Sequence, residues 1–337
     1  MPGSTRASAT NERPLLATMT DDPAPASPIP AVLPAEVEPP PLSLAQLTWR
    51  RFRRHRMAMF GAVLLILLII YSYGGALFVS EEYANHNDLE KVLAAPSAAH
   101  PFGTDTTGRD ILARTIYGGQ ISLLIGLTAV VVETLMGILI GALAGYYGGW
   151  VDSLLMRFTE AVLNIPQIFL LLVMAKFFGG RIPNLSILGR EYSGSVVVII
   201  LIIGLTSWPY LARIVRAEFM SIKEREFVLA AHATGTPSWE IILKHILPNC
   251  IAPIVVSATL GVAGAITLEA YISFLGLGVR APTATWGNML EGAYQYIDQG
   301  AYWLWLFPGS LIVLIVLSIN FLGDGLRDAL DPRSRTV

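Results

Sequence analysis

Apolar residues run along this chain in six stretches of roughly twenty or more, at 57–79, 122–146, 154–178, 196–215, 251–274 and 303–322. A helix rises about 1.5 Å per residue, so ~20 residues cross the ~30 Å hydrocarbon core of a bilayer. The pattern predicts an all-α integral membrane protein of six spanning helices. Between the fourth and fifth runs lies a polar island ending at His245-Ile246-Leu247-Pro248. Its residues predict a short helix over 227–233, a left-handed turn at Gly235, a second helix from about 238, and a stop at Pro248. A helix–turn–helix this polar belongs at the membrane surface, facing a soluble partner.

Charge sets the orientation. Arg50, Arg51, Arg53, Arg54 and Arg56 directly precede the first run, and basic residues flank spans on the cytoplasmic side. The N-terminus is therefore expected in the cytoplasm. Six crossings then place the C-terminus and the polar island there too. Lys223, Arg225 and Lys244 in the island, and Arg327, Arg333 and Arg335 after the last run, carry the same sign. The expected divisions are a disordered cytoplasmic tail (1–42), an N-terminal flank and first span (43–80), an external loop (81–120), a core of five spans (121–325) and a cytoplasmic tail (326–337). The N-terminal tail is rich in Pro, Ala, Ser and Thr and has too few large apolar side chains to fold. The first apolar run begins far beyond the window of a signal peptide.

Composition agrees. The 337 residues are 53% hydrophobic and only 14% charged, with mean hydropathy +0.56; soluble domains run near one quarter charged. The lone Cys250 excludes a disulfide framework. No phosphate-binding Gly-rich loop and no metal-ligand cluster stands out, so no metal site is expected and any ATP is hydrolysed by another chain. Within the second run, Gly137, Gly141 and Gly145 form a small-residue ridge for close helix contact.

Intramembrane acids are costly and mark function or buried hydrogen bonding. Glu133 lies near mid-depth of the second run and Glu269 toward the external end of the fifth. Arg109 and Asp110 stand together before the second run, available to pair, and these four residues are the pathway candidates. Glu160 stands three residues beyond Arg157 as a second expected pair.

The island resembles the "EAA" loop of ABC-importer permease subunits. Leu229-Ala230-Ala231, three residues, Gly235, nine residues and then His245-Ile246-Leu247-Pro248 reproduce that loop's spacing; Leu229 replaces its Glu and His245 its Ile. Three further stretches resemble the second permease of the dipeptide/oligopeptide/nickel branch. They are Phe102-Gly-Thr-Asp-Thr-Thr-Gly-Arg109-Asp110, the run Ala144-Gly-Tyr-Tyr-Gly-Gly-Trp-Val-Asp152, and Glu269-Ala-Tyr-Ile-Ser-Phe-Leu-Gly-Leu-Gly278 followed by Trp286-Gly-Asn288. Gln120 stands where that branch usually has Arg.

The resemblance implies a type I ABC-importer permease fold with cytoplasmic coupling helices, in a subunit that is not itself an enzyme. It implies a coupling loop of Glu226, Leu229, Ala230, Ala231, Gly235, His245, Leu247 and Pro248. The implied partners are a homologous second permease, two cytoplasmic ATPases holding ATP and Mg, and an extracytoplasmic solute-binding protein. Di- and oligopeptides lead among solutes; nickel chelates, glutathione and glycosides are carried by the same branch. A stand-alone secondary transporter would instead show inverted repeats or broken helices at mid-depth. An intramembrane enzyme would need a nucleophile–base pair or metal ligands.

Overall fold

A computed structural model describes residues 44–187 and 190–331. The expected 1–42 tail, Arg333 and Arg335 lie outside the described residues. An amphipathic helix, α1 (Leu44–Arg54), ends at His55, whose ring accepts from the Ala58 amide to start α2 (Arg56–Ile69). α2 runs on through a π-helical turn to Gly74, completing the first span. A short helix, α3 (Glu81–Asn85), and an irregular segment lead to α4 (Ile111–Tyr147).

α4 has 37 residues, about 55 Å of helix, far more than a bilayer core requires. It begins eleven residues before the expected start at 122, because Asp110 accepts from the Ala113 amide at 2.8 Å and caps it there. Residues 111–120, expected in an external loop, are therefore helical.

The expected third span is broken. α5 (Gly149–Asn164) and α6 (Gln167–Phe178) meet at 84°. Pro166 has no amide hydrogen and pushes Ile165 into an extended conformation, so the helix cannot run through. A small antiparallel hairpin, β1 (Leu185–Ile187) with β2 (Arg190–Tyr192), then leads into α7 (Gly194–Ile222). α8 (Glu226–Ala233) comes next, and α9 (Ser238–Glu240) opens the following span. Pro248 does not stop that helix. The chain widens into a π-helix at Ile241–Ile246, tightens into a 3₁₀ turn at Leu247–Cys250, and continues as α10 (Ile251–Phe274). These two irregular turns absorb the hydrogen bond that proline cannot make. α11 (Trp303–Leu330) closes the bundle, running eight residues beyond the expected end at 322.

Among the described residues, five helices are thus long and apolar enough to cross a membrane, or six if the bent α5–α6 pair is one span. α4 packs along α7 through the predicted glycine ridge: a Cβ at Gly141 would lie 2.5 Å from the Ala212 carbonyl, and one at Gly145 2.6 Å from Phe219 Cβ. Gly141→Leu is expected to force the two helices apart and to lower the melting temperature in detergent by the equivalent of about 1–3 kcal/mol. An unchanged melting temperature would contradict this packing.

Candidate functional site

Residues 226–248 form a folded platform at one end of the bundle. Glu226 stands in the first turn of α8, where its charge suits the helix dipole. At the other end, the Gly235 amide donates to the His232 carbonyl (3.0 Å) and the Thr236 amide to the Ala231 carbonyl (3.1 Å). That pair of bonds is the Schellman closure, which needs the left-handed φ of +79° that Gly235 adopts. Val228 and Ala231 face inward onto Phe219, Ile222, Ile241 and Ile246. The other face of the platform shows Phe227, Leu229, Trp239 and Leu243, each more than 40% exposed, beside the exposed Glu226, Ala230, Gly235 and Pro248. Apolar side chains grouped this way on a surface mark a contact site. His245 and Leu247 are half-buried behind them. The His232 ring stacks on Tyr146 at the end of α4, and Asp152 at the start of α5 holds Arg216 of α7. The platform is thus tied into the bundle rather than hanging from it.

At the opposite end, Arg109 and Asp110 do not pair with each other. Arg109 Nε donates to Asp105 at 2.8 Å, while Asp110 lies 2.8 Å from His100 Nδ1 and caps α4. Asp110 is committed to the helix start, and its neighbour's longer side chain folds back over the preceding turn. Burial pushes the Asp105 carboxyl up, but Arg109, the amides of Thr107 and Arg109, and Arg114 outweigh it and hold the group below the usual carboxylate range. A folded pKa below the unfolded one gives stability that is complete above the ordinary value near ~4 and is lost as pH falls below it. The melting-temperature difference between wild type and Asp105→Asn should therefore be constant above pH ~5 and shrink in acid. A difference independent of pH would contradict the ion-pair geometry.

The two intramembrane acids are placed differently. Glu269 is completely buried. Its carboxylate accepts from Ser273 Oγ (2.7 Å), Thr285 Oγ1 (2.8 Å) and, more weakly, Ser122 Oγ (3.4 Å). Ser122 Oγ also accepts from the Trp286 amide, and Ser273 Oγ from the Val279 amide. Glu269 is thereby the centre of a buried polar knot joining α4, α10 and the loop after α10. That arrangement is helix–helix and helix–loop hydrogen bonding. Glu133 is 9% exposed and has no hydrogen-bond or ion-pair partner among the described residues. Arg157 and Glu160, expected to pair, form no ion pair with each other. The participation of Ser122, Thr285 and Trp286 has no local sequence signal, since each lies far from its partners along the chain.

Residues 137–336 match the family model of the binding-protein-dependent transport system inner membrane component, and residues 43–96 match the N-terminal TM domain of oligopeptide transport permease C. The chain belongs to this permease family. Among its relatives is a putative peptide permease protein of Brucella suis biovar 1, 45% identical over 285 residues, which cover 84% of this chain and 89% of the relative. The dipeptide transport system permease protein DppC of Bacillus subtilis is 38% identical over 89% of each chain. The oligopeptide transport system permease protein OppC of Haemophilus influenzae is 40% identical over 87% of this chain and 90% of its own. A solved inward-facing structure of the MetNI methionine ABC transporter covers 64% of this chain and 95% of its own, with 21% identity and a TM-score of 0.50. That likeness establishes the type I permease fold. The permease is a multi-pass inner-membrane protein, and its broken α5–α6 span belongs to an importer subunit rather than to a stand-alone carrier.

Proposed function

We propose that this permease forms half of the translocation pathway of an ATP-driven importer for di- and oligopeptides. The observation that carries the reading is its similarity, over nearly its whole length, to permeases named for dipeptide and oligopeptide transport. In this reading Glu226, Leu229, Ala230, Ala231, Gly235, His245, Leu247 and Pro248 belong to the loop that docks on an ATPase. The apolar face of Phe227, Leu229, Trp239 and Leu243 fits a cleft on that partner. ATP and Mg are held by two ATPase subunits and no cofactor by this chain, so its own task is mechanical. Closure of the ATPases moves α8, and the bundle rocks between inward-open and outward-open forms.

A homologous second permease completes the pore, and an extracytoplasmic binding protein delivers the solute at the end that carries Asp105 and Arg109. The arginines at 50–56 favour a cytoplasmic N-terminus, and with it a cytoplasmic α8 platform and C-terminus. Purification of the tagged permease from native membranes, with mass spectrometry of what accompanies it, tests the assembly. A second permease, P-loop ATPases and a peptide-binding protein are the expected companions. Recovery of this chain alone, active without nucleotide, would overturn the reading.

A further inference from the structure

The contrast between the two buried acids points to a solute contact. Glu269 is satisfied by three hydroxyls, whereas Glu133, nine-tenths buried, faces α10 at Gly261, where a Cβ would lie 3.4 Å from its carboxylate. An unpaired acid inside a membrane bundle is expensive and marks a functional site by default. One polar pair lies at a similar depth. Gly204 of α7 meets Ala129 and Val132 of α4, and Gly137 of α4 meets Leu211 of α7, so Glu133 lies level with Ser207. Ser207 accepts from Gln167 Nε2 at 3.1 Å, and Gln167 begins α6 directly after the break. Gln167, Thr267 and Asn320 stand among Leu260, Leu268 and Val316 in one mainly apolar groove that also takes in Gly264, a turn beyond Gly261.

We propose that Glu133 reads the α-ammonium group of the transported peptide, and that the groove beside Gly264, whose mainly apolar walls carry the amides of Gln167 and Asn320 and the Thr267 hydroxyl, is the surface along which the peptide passes. A carboxylate matches an ammonium in charge. The Gln167 and Asn320 amides and the Thr267 hydroxyl both donate and accept, as peptide groups do. The inference rests on the peptide-importer reading and assigns the solute's contacts within it.

The test uses the complete importer in proteoliposomes, with Thr267→Cys as a reporter on the exposed wall of the groove; the native thiol, Cys250, is fully buried. Maleimide modification at position 267 is timed during ATP turnover, with dialanine or N-acetyldialanine delivered by the binding protein. Dialanine should slow modification and N-acetyldialanine should not. Adding Glu133→Gln should raise the dialanine concentration for half-protection about tenfold or more, and Glu133→Asp should recover most of the effect. Equal protection by dialanine in the Glu133→Gln importer would overturn the assignment and leave Glu133 a purely structural acid. Loss of the second permease from the purified Glu133→Gln complex would overturn it in favour of a subunit contact. Uptake of labelled dialanine by the wild-type importer is measured in parallel: its absence sinks the peptide reading as well, whereas uptake indifferent to Glu133→Gln sinks this inference alone.

Discussion

Gly235→Pro and Ala231→Asp each leave the permease in the membrane and abolish solute-stimulated ATP hydrolysis by the assembled importer. The two act on the same platform by different physics. At Gly235 there is open space where a side chain would go, so crowding is not the objection. Its φ of +79° is, because proline is confined to about −65°. The substitution also removes the amide that donates to His232, and the closure of α8 is lost. Gly235→Ala keeps that amide and strains the backbone by only about 1–2 kcal/mol, so it should retain part of the coupling. Ala231 is 8% exposed and packs in the cluster of Phe219, Val228, Ile241 and Ile246. A carboxylate there is unpaired, at a cost of several kcal/mol, and must drag α8 off the bundle to reach water. The readout is ATP hydrolysis with and without peptide-loaded binding protein in proteoliposomes, beside the amount of permease in the membrane fraction. Normal stimulation in either variant would remove the platform from the coupling path.

Trp286→Ala is the second large effect, and it acts at the other end. Trp286 is fully buried in a cluster with Leu68, Leu123, Ala263, Ile266, Ile315 and Ile319. Its indole donates to the Thr115 carbonyl at 2.8 Å and its amide to Ser122 Oγ at 3.2 Å. One side chain therefore joins α2, α4, α10 and α11 and pins the loop after α10 onto the Glu269 knot. Truncation to alanine should cost about 3–5 kcal/mol and release that loop. Trp286→Phe keeps most of the apolar area and loses one hydrogen bond, so it should cost nearer 1 kcal/mol. Thermal unfolding in detergent gives the ranking, and a Trp286→Ala chain as stable as Trp286→Phe would contradict it.

The apolar runs made the spans legible, and the spacing from Leu229 to Pro248 made α8 and its turn legible, because both signals are local. Gly137, Gly141 and Gly145 announced a close helix contact for the same reason, though only the fold names α7 as the neighbour. The features hidden from the sequence depend on partners far along the chain or on the path of the backbone beyond a proline. Pro248 reads as a stop, yet the π and 3₁₀ turns carry the chain past it into α10. Pro166 sits inside a stretch apolar enough overall to read as one span, and the 84° bend beside it leaves no mark on hydropathy. Arg109 and Asp110 look like a pair and are instead divided between Asp105 and His100. Glu133 and Glu269 look alike as isolated acids in apolar runs. Their difference lies in Ser122 and Thr285, 147 and 16 residues from Glu269, which no periodicity brings together.

The central claim is that the α8 platform is where the permease meets its ATPase, and Leu229, 52% exposed on that face, is the place to ask. With Leu229→Cys carrying a short photo-cross-linker in native membranes, the account predicts an adduct with a P-loop ATPase, identified by mass spectrometry of the cross-linked peptide. An adduct with the extracytoplasmic binding protein, or an exposed platform that captures no ATPase, would contradict it.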